Sequence, residues 1–195
     1  MLYFTSDTHF GSERTLELSK RPFASVEEMD KTIIENFNKI LKPDDVLYHL
    51  GDFGDYDKIK YFPCPVVLVL GNYERKDIKE KFKGDIDAYN TFLSKMGFKF
   101  GVILDDHKAI HKFTYDEDND SYNHLDLWCC HEPSNCNKES NWFNLYGHIH
   151  GRQMIRHYGM DVGVDCHHFR PVSFDDVLFY KEAIEKHYDN EVFDD

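Results

Sequence analysis

The sequence has no apolar run approaching the ~20 residues of a membrane-spanning helix, which argues against an integral membrane protein. Positive charge is also scarce. The formal net charge of −13 and the lack of a Lys/Arg cluster argue against a long nucleic acid as partner and against docking on an anionic membrane. A short nucleotide held in one local pocket stays open. The first residues, Met1-Leu2-Tyr3-Phe4-Thr5-Ser6-Asp7, lack the basic and long apolar regions of a signal peptide. The five cysteines, Cys64, Cys129, Cys130, Cys136 and Cys166, are odd in number and show no C-x-x-C spacing. Free thiols in a reducing cytoplasm are therefore expected, not a disulfide scaffold or a zinc ribbon. Internal repeats and Pro/Gly/Ser-rich linkers are missing as well, so residues 1–195 read as a single domain. An aromatic content of 15% excludes a disordered chain.

Short apolar runs alternate with helical patterns, the signature of an α/β domain. Val26, Met29, Ile33, Phe37 and Ile40 fall on one face of a helix, with Ser25 as N-cap, Glu28 completing a capping box and Pro43-Asp44-Asp45 ending it. Weaker helical patterns cover Asp55–Phe62, Lys76–Lys83 and Asp85–Met96, and another helix begins after a Ser173 cap. Asp116-Glu117-Asp118-Asn119-Asp120 reads as a solvated loop, without the Gly and terminal Glu of an EF-hand. The Asp194-Asp195 end is expected to fray.

Five apolar runs end in residues able to bind a metal. Leu2–Phe4 precedes Asp7 and His9, Val46–Leu50 precedes Asp52, and Val66–Leu70 precedes Asn72. Leu125–Cys130 precedes His131, and Phe143–Tyr146 precedes His148 and His150. In open α/β sheets ligands bind beyond the carboxyl ends of the strands, so this order predicts one site built from five strand ends. Taken singly, each element has a plain alternative. Gly51-Asp52 and Gly71-Asn72 are also ordinary turn pairs, and His131 is also a fit start for the turn at Glu132-Pro133. The pair His148-x-His150 would face one side if it lay in a strand.

Asp7, His9, Asp52, Asn72, His131, His148 and His150 offer carboxylate, imidazole and amide oxygen but no thiolate. Such a set suits manganese or iron, with zinc, nickel or cobalt as alternatives, better than a soft metal. Seven side chains exceed one tetrahedral zinc and suit two divalent ions bridged by a carboxylate. Two ions ~3.5–4 Å apart clamp the attacking and leaving oxygens of an in-line displacement and lower the pKa of bound water. With two carboxylates and a hydroxide the centre would carry about +1, so an acidic protein still offers an anionic substrate a positive pocket.

As a set, Asp7-Thr8-His9, Gly51-Asp52, Gly71-Asn72-Tyr73-Glu74, His131 and Gly147-His148-Ile149-His150 resemble the calcineurin-like metallophosphoesterase superfamily. Ser6–Gly11, Arg21-Pro22-Phe23 and Phe169–Ser173 further resemble its small bacterial and phage branch. The resemblance implies a sandwich of two mixed sheets flanked by helices in four layers. It also implies a phosphoesterase acting on a phosphodiester or phosphomonoester through a hydroxide bridging two metals. By resemblance, Asp7, His9, Asp52 and His150 would hold the first metal, Asp52 would bridge, and Asn72, His131 and His148 would complete the second. Asp52, Asn72, Tyr73 and His148 are then the catalytic candidates.

Relatives usually carry His where this chain has Tyr73. A phenol, with an ordinary pKa near ~10, can donate a hydrogen bond at neutral pH but is further from the optimum for general acid work. Tyr73 is thus read as a replacement donor, as structural in an enzyme of good leaving groups, or as a mark of lost activity. Glu74 for Asp is the milder change, and close relatives would carry a further His near Ser12. Among Arg21, Arg75, Arg152 and Arg170, Arg75 is the first candidate for substrate phosphate, being three residues after Asn72. His49 reads as packed within its strand, and His167 and His168 as pocket rim, while His111 has no assigned role. Cys129 and Cys130 point to opposite strand faces and read as packing residues. The partner expected is a small phosphoester or nucleotide. The rival readings are a non-catalytic interaction module on the same fold and a nuclease of the same superfamily.

Overall fold

The computed structural model describes residues 1–98, 102–103, 107–116, 121–139 and 141–189. Residues 117–120 of the acidic loop and the Asp194-Asp195 end lie outside the described residues. In chain order the elements are β1 (Leu2–Thr5), α1 (Glu13–Leu18), α2 (Val26–Ile40), β2 (Val46–His49), β3 (Val66–Val69), α3 (Asn72–Glu80), α4 (Ile86–Met96) and β4 (Val102–Ile103). They continue with β5 (His107–Asp116), β6 (Ser121–Cys130), β7 (Trp142–Tyr146), β8 (Ile155–Arg156), β9 (Gly159–Asp161), β10 (Val172–Ser173) and α5 (Phe174–His187).

Two mixed sheets, flanked by helices, form the scaffold. One runs β10-β1-β2-β3-β4 and the other β5-β6-β7-β9-β8. In the first, β1 to β4 are parallel and β10 returns antiparallel to β1. In the second, β6, β7 and β9 are parallel, with β5 and β8 antiparallel at the edges.

The alternation of each strand divides the core. Leu47, Val66 and Leu68 face outward and bury α2 through Met29, Ile33 and Phe37, and α4 through Tyr89 and Leu93. Phe4 and Val69 face inward and meet Leu127, Leu145 and Met160 of the second sheet, with Val177 and Ile184 of α5 in the same layer. Fully burying one such side chain is worth roughly 1.5–3 kcal/mol. Among the described residues, no helix is long and apolar enough to cross a membrane.

Several local expectations change. Ser25 caps α2 by accepting from Glu28 N, but Glu28 Oε2 takes the Ala24 N–H and not that of Ser25, so the box closes one residue early. Asp55–Phe62 is a short 3₁₀ turn over Tyr56–Tyr61, not an α-helix. The helix read as starting at Lys76 begins at Asn72, because Glu74 reaches back to the Gly71 N–H and starts it earlier. After the Ser173 cap, α5 forms with a full capping box through Asp176.

His49 is fully buried in β2, where its Nε2–H donates to Thr8 Oγ1 at 2.9 Å while that hydroxyl donates to Phe53 O. Burial pulls its pKa down to about 3, against ~6.5 in an unfolded chain. As pH falls below that unfolded value, the unfolded chain takes a proton that the folded one refuses. Between pH 7 and 5 this removes about 2 kcal/mol of stability. Urea denaturation at both pH values should show the drop, and His49→Gln should remove that part of it. An equal drop in variant and wild type would exclude His49 as its source.

Candidate metal centre

The carboxyl ends of β1, β2, β3, β6 and β7 converge, and the segments that follow carry the seven candidate ligands, six in turns and Asn72 at the start of α3. Hydrogen bonds between turns hold them in place. Asp7 N donates to Gly51 O at 3.1 Å, His9 N to Asp52 O at 3.0 Å, and Gly147 N to His131 O at 2.9 Å. Asp7, His9, Asp52, His148 and His150 all have positive φ, between 48° and 73°. That region disfavours residues bearing a Cβ and costs on the order of 1–3 kcal/mol each, so the surrounding bonds hold the turns in a strained form. His148 and His150 consequently lie in a left-handed turn, not in a strand. The turn brings them to one centre, and strand alternation plays no part.

Asp7, His9, Asp52 and His131 are at most 4% exposed, whereas His148 and His150 are half-buried and Asn72 is exposed. One end of the centre is therefore closed and the other opens into a cleft of about 580 Å³. Ligand atoms of Asp7, His9 and His150 lie within 4.8 Å of one another, as do those of Asp7, Asp52 and His131. Asp7 is common to the two groups, and Asp52 Oδ2 sits between two imidazoles, 3.5 Å from His9 Nε2 and 3.6 Å from His131 Nε2. The other Asp52 oxygen accepts from Tyr73 N at 2.8 Å, which fixes the carboxylate plane.

Asp7 Oδ1, both ring nitrogens of His9 and His131 Nε2 are buried without a hydrogen-bond partner. Buried polar atoms are ordinarily paired, and such orphans in one place call for a missing partner. Divalent cations fit His9 Nε2, His131 Nε2 and Asp7 Oδ1, since His9 Nε2 lies 3.7 Å from Asp7 Oδ1 and both imidazole nitrogens face Asp52 Oδ2. His131 Nδ1 donates to Leu50 O at 2.8 Å, so its Nε2 is left as the free lone pair. Burial alone would raise the Asp7 carboxyl. The facing His9, His131 and His150 imidazoles outweigh it and hold the group well below the usual range. Burial lowers His131, but Asp7 and Asp52 raise it further than burial depresses it.

A family model for calcineurin-like phosphoesterases matches residues 2–191. The chain belongs to the calcineurin-like phosphoesterase family. An uncharacterised protein of Methanocaldococcus jannaschii is 28% identical over 185 residues, covering 89% of this chain and 87% of its own. The crystal structure of a protein of unknown function from Aquifex aeolicus covers 92% of this chain and 98% of its own. It aligns with a TM-score of 0.58 at 20% identity, a likeness of fold. Membership of the phosphoesterase family implies divalent cations, and the ligand groups above are of the type such cations use.

Asp165 escaped the sequence reading, and so did the supporting contacts of Arg21 and Glu74. Asp165 Oδ2 accepts from His150 Nδ1 at 2.8 Å, and both its oxygens are gripped by Arg21, at 2.9 Å from Nε and 2.8 Å from Nη2. Arg21 also donates to the carbonyls of Thr8 and Asp7, so it ties the first turn to His150 and does not face substrate. Burial would raise the Asp165 carboxyl, but His150 and Arg21 hold it below its ordinary value. A carboxylate behind a ligand imidazole orients the ring, and its loss typically lowers metal affinity ~10–100-fold. Asp165→Asn should show that loss in a competition titration with a chromogenic chelator. Unchanged affinity would make the contact purely structural.

Glu74 is fully buried and accepts from Gly71 N, Asp52 N and Phe53 N at 2.9, 2.8 and 3.0 Å. Burial and the neighbouring Asp52 push its carboxyl up to about 7. Gly147 is fixed by close approach, because a Cβ there would lie 2.1 Å from Ser6 Oγ and 2.3 Å from Asp7 Oδ2.

The cleft is walled by Arg14, Lys20 and Arg152, together with Tyr73 and Leu18. Arg75 is exposed on α3 and is not among the residues that line this wall. Arg170 is likewise exposed and outside it. His167 is not pocket rim either. Its Nε2 bonds Asp161 O at 2.7 Å, and neither it nor His168 lines the cleft. Ser12, where a further His was expected, caps α1 through Thr15 N and lies 3.4 Å from Tyr73 OH. Cys129 and Cys130 are both buried, as packing residues would be.

Proposed function

We propose that the chain is a cytoplasmic, metal-dependent phosphoesterase that hydrolyses a small phosphomonoester or phosphodiester, nucleotides included. The observation that carries the reading is the group of buried, unpartnered Asp7, His9 and His131 atoms beneath an open cleft walled by Arg14, Lys20 and Arg152. Asp7, His9, Asp52 and His150 would hold one divalent ion and Asn72, His131 and His148 a second, with Asp52 shared. Such a pair, manganese or iron foremost, supplies Lewis acidity and lowers the pKa of water toward neutrality.

The chain's own groups do the rest. Arg14, Lys20 and Arg152 bring cationic donors to the phosphate. Asn72 Nδ2 lies 3.2 Å from His148 Nδ1, which keeps the two side chains together at the exposed end of the centre. Tyr73 lies edge-on to His9, with ring centroids 4.7 Å apart, and lines the cleft. Its phenol then serves as hydrogen-bond donor to the departing oxygen.

The test is a panel of mono- and diesters offered to protein freed of metal by chelation and then reloaded with Mn²⁺. Turnover should appear with manganese and vanish on chelation. For substrates with poor leaving groups Tyr73→Phe should cost roughly 10²-fold in kcat, with little change for activated aryl esters. Full metal occupancy without turnover anywhere on the panel would replace the enzyme reading with that of an interaction module.

A further inference from the structure

A second constellation of metal-binding side chains lies on β5 and β6 of the second sheet, away from the strand-end centre. His111 of β5 is paired directly with Asp126 of β6, and His124 is two residues before Asp126 on the same strand. Residues at that spacing share a face, so backbone register alone brings all three side chains to one patch. His111 Nδ1 lies 2.6 Å and His124 Nε2 2.7 Å from the same oxygen, Asp126 Oδ1. The three atoms fall within 4.8 Å of one another. The two imidazole planes differ by only 14°. Beside the patch is a cavity of about 310 Å³, with His157 and Glu185 on its wall.

We propose that His111, His124 and Asp126 form a separate site for one borderline divalent cation, with zinc the best match. Two imidazoles and one carboxylate, with no thiolate, are a three-ligand set of the kind that leaves a coordination position open. Tetrahedral zinc with bonds near 2.0–2.1 Å spaces its ligand atoms about 3.3 Å apart. The two nitrogens therefore need only draw back from Asp126 Oδ1 by several tenths of an ångström. The imidazoles are about half exposed, at 56% and 44% of their side-chain surface. Exposed histidine–carboxylate pairing contributes little to stability, so it does not by itself account for two rings gathered on one oxygen. One dication with this single carboxylate leaves a charge near +1, and the adjoining cavity gives room for water or a small anion in the open position. The ion would fasten β5 to β6 from outside the inter-sheet core.

The experiment uses the full chain carrying Asp7→Asn and Asp52→Asn, which weakens the strand-end centre, titrated with zinc chloride. Histidine two-bond ¹⁵N–¹H correlation spectra report which ring nitrogen takes the metal. Expected are coordination shifts at His111 Nδ1 and His124 Nε2, and a loss of one zinc equivalent per chain when Asp126→Ala is added. The separate variant His124→Asn should lose the same equivalent, which guards against misfolding of any single substitution. Unshifted ring nitrogens at saturating zinc, or equal zinc content with and without the two added substitutions, would overturn the site.

Discussion

Asp52→Asn should lower manganese-supported phosphoester turnover by about a thousandfold or more, roughly 4 kcal/mol of barrier. The carboxylate lies between the His9 and His131 imidazoles, with Oδ2 3.5 Å from His9 Nε2 and 3.6 Å from His131 Nε2. The amide keeps its volume and still leaves an oxygen for the Tyr73 N–H, so the turn has no reason to collapse. What it loses is the negative charge that, on the proposed reading, would hold two like-charged ions close together. Asp52 also lies next to buried Glu74, and removing one of two neighbouring carboxylates relieves repulsion. The metal-free variant should therefore melt no lower than wild type. Comparing kcat with the metal-free melting temperature separates chemistry from folding. Wild-type rates in the variant would rule out Asp52 as the bridging ligand.

Glu74→Ala is the change with the largest expected effect on stability. It strips the acceptor from three backbone N–H groups at once, those of Gly71, Asp52 and Phe53. A buried donor left unpaired costs ~1–3 kcal/mol. Deleting a carboxyl that burial already disfavours offsets part of this, so a net loss of roughly 3–5 kcal/mol is expected in urea denaturation. Glu74→Gln keeps one acceptor oxygen and should lose about half as much. The Ala variant should also bind manganese more weakly, since Asp52 sits at a φ of 57° that these bonds sustain. Wild-type denaturation of Glu74→Ala would show that the carboxylate is not a clamp.

The convergence of the candidate ligands was legible because strand periodicity and the residue just beyond each strand are local signals. β1, β2, β3, β6 and β7 all appear in the sequence as apolar runs, and the helices at Val26–Ile40, Ile86–Met96 and Phe174–His187 carry caps. The two-residue strands β4, β8 and β10 are too short to leave a pattern, and β10 exists through its pairing with β1. α1 has only six residues, so Arg14 and Lys20 gave no sign that they overhang the cleft. Arg75 drew notice because it is near Asn72 in number, whereas the cleft lining includes Arg152. Asp165 could not be found by spacing, since its partners Arg21 and His150 lie 144 and 15 residues away. Glu74 read as a mild replacement because its three acceptor bonds reach across two turns that only the fold brings together.

The centre straddles a seam. Asp7, His9, Asp52 and Asn72 follow strands of the first sheet, whereas His131, His148 and His150 follow strands of the second. Neither half of the polypeptide holds the complete set, so full cation capture needs the halves docked. Ions that bind only this docked form then act as a latch, and depleting them should loosen the meeting of the two halves before either comes apart by itself.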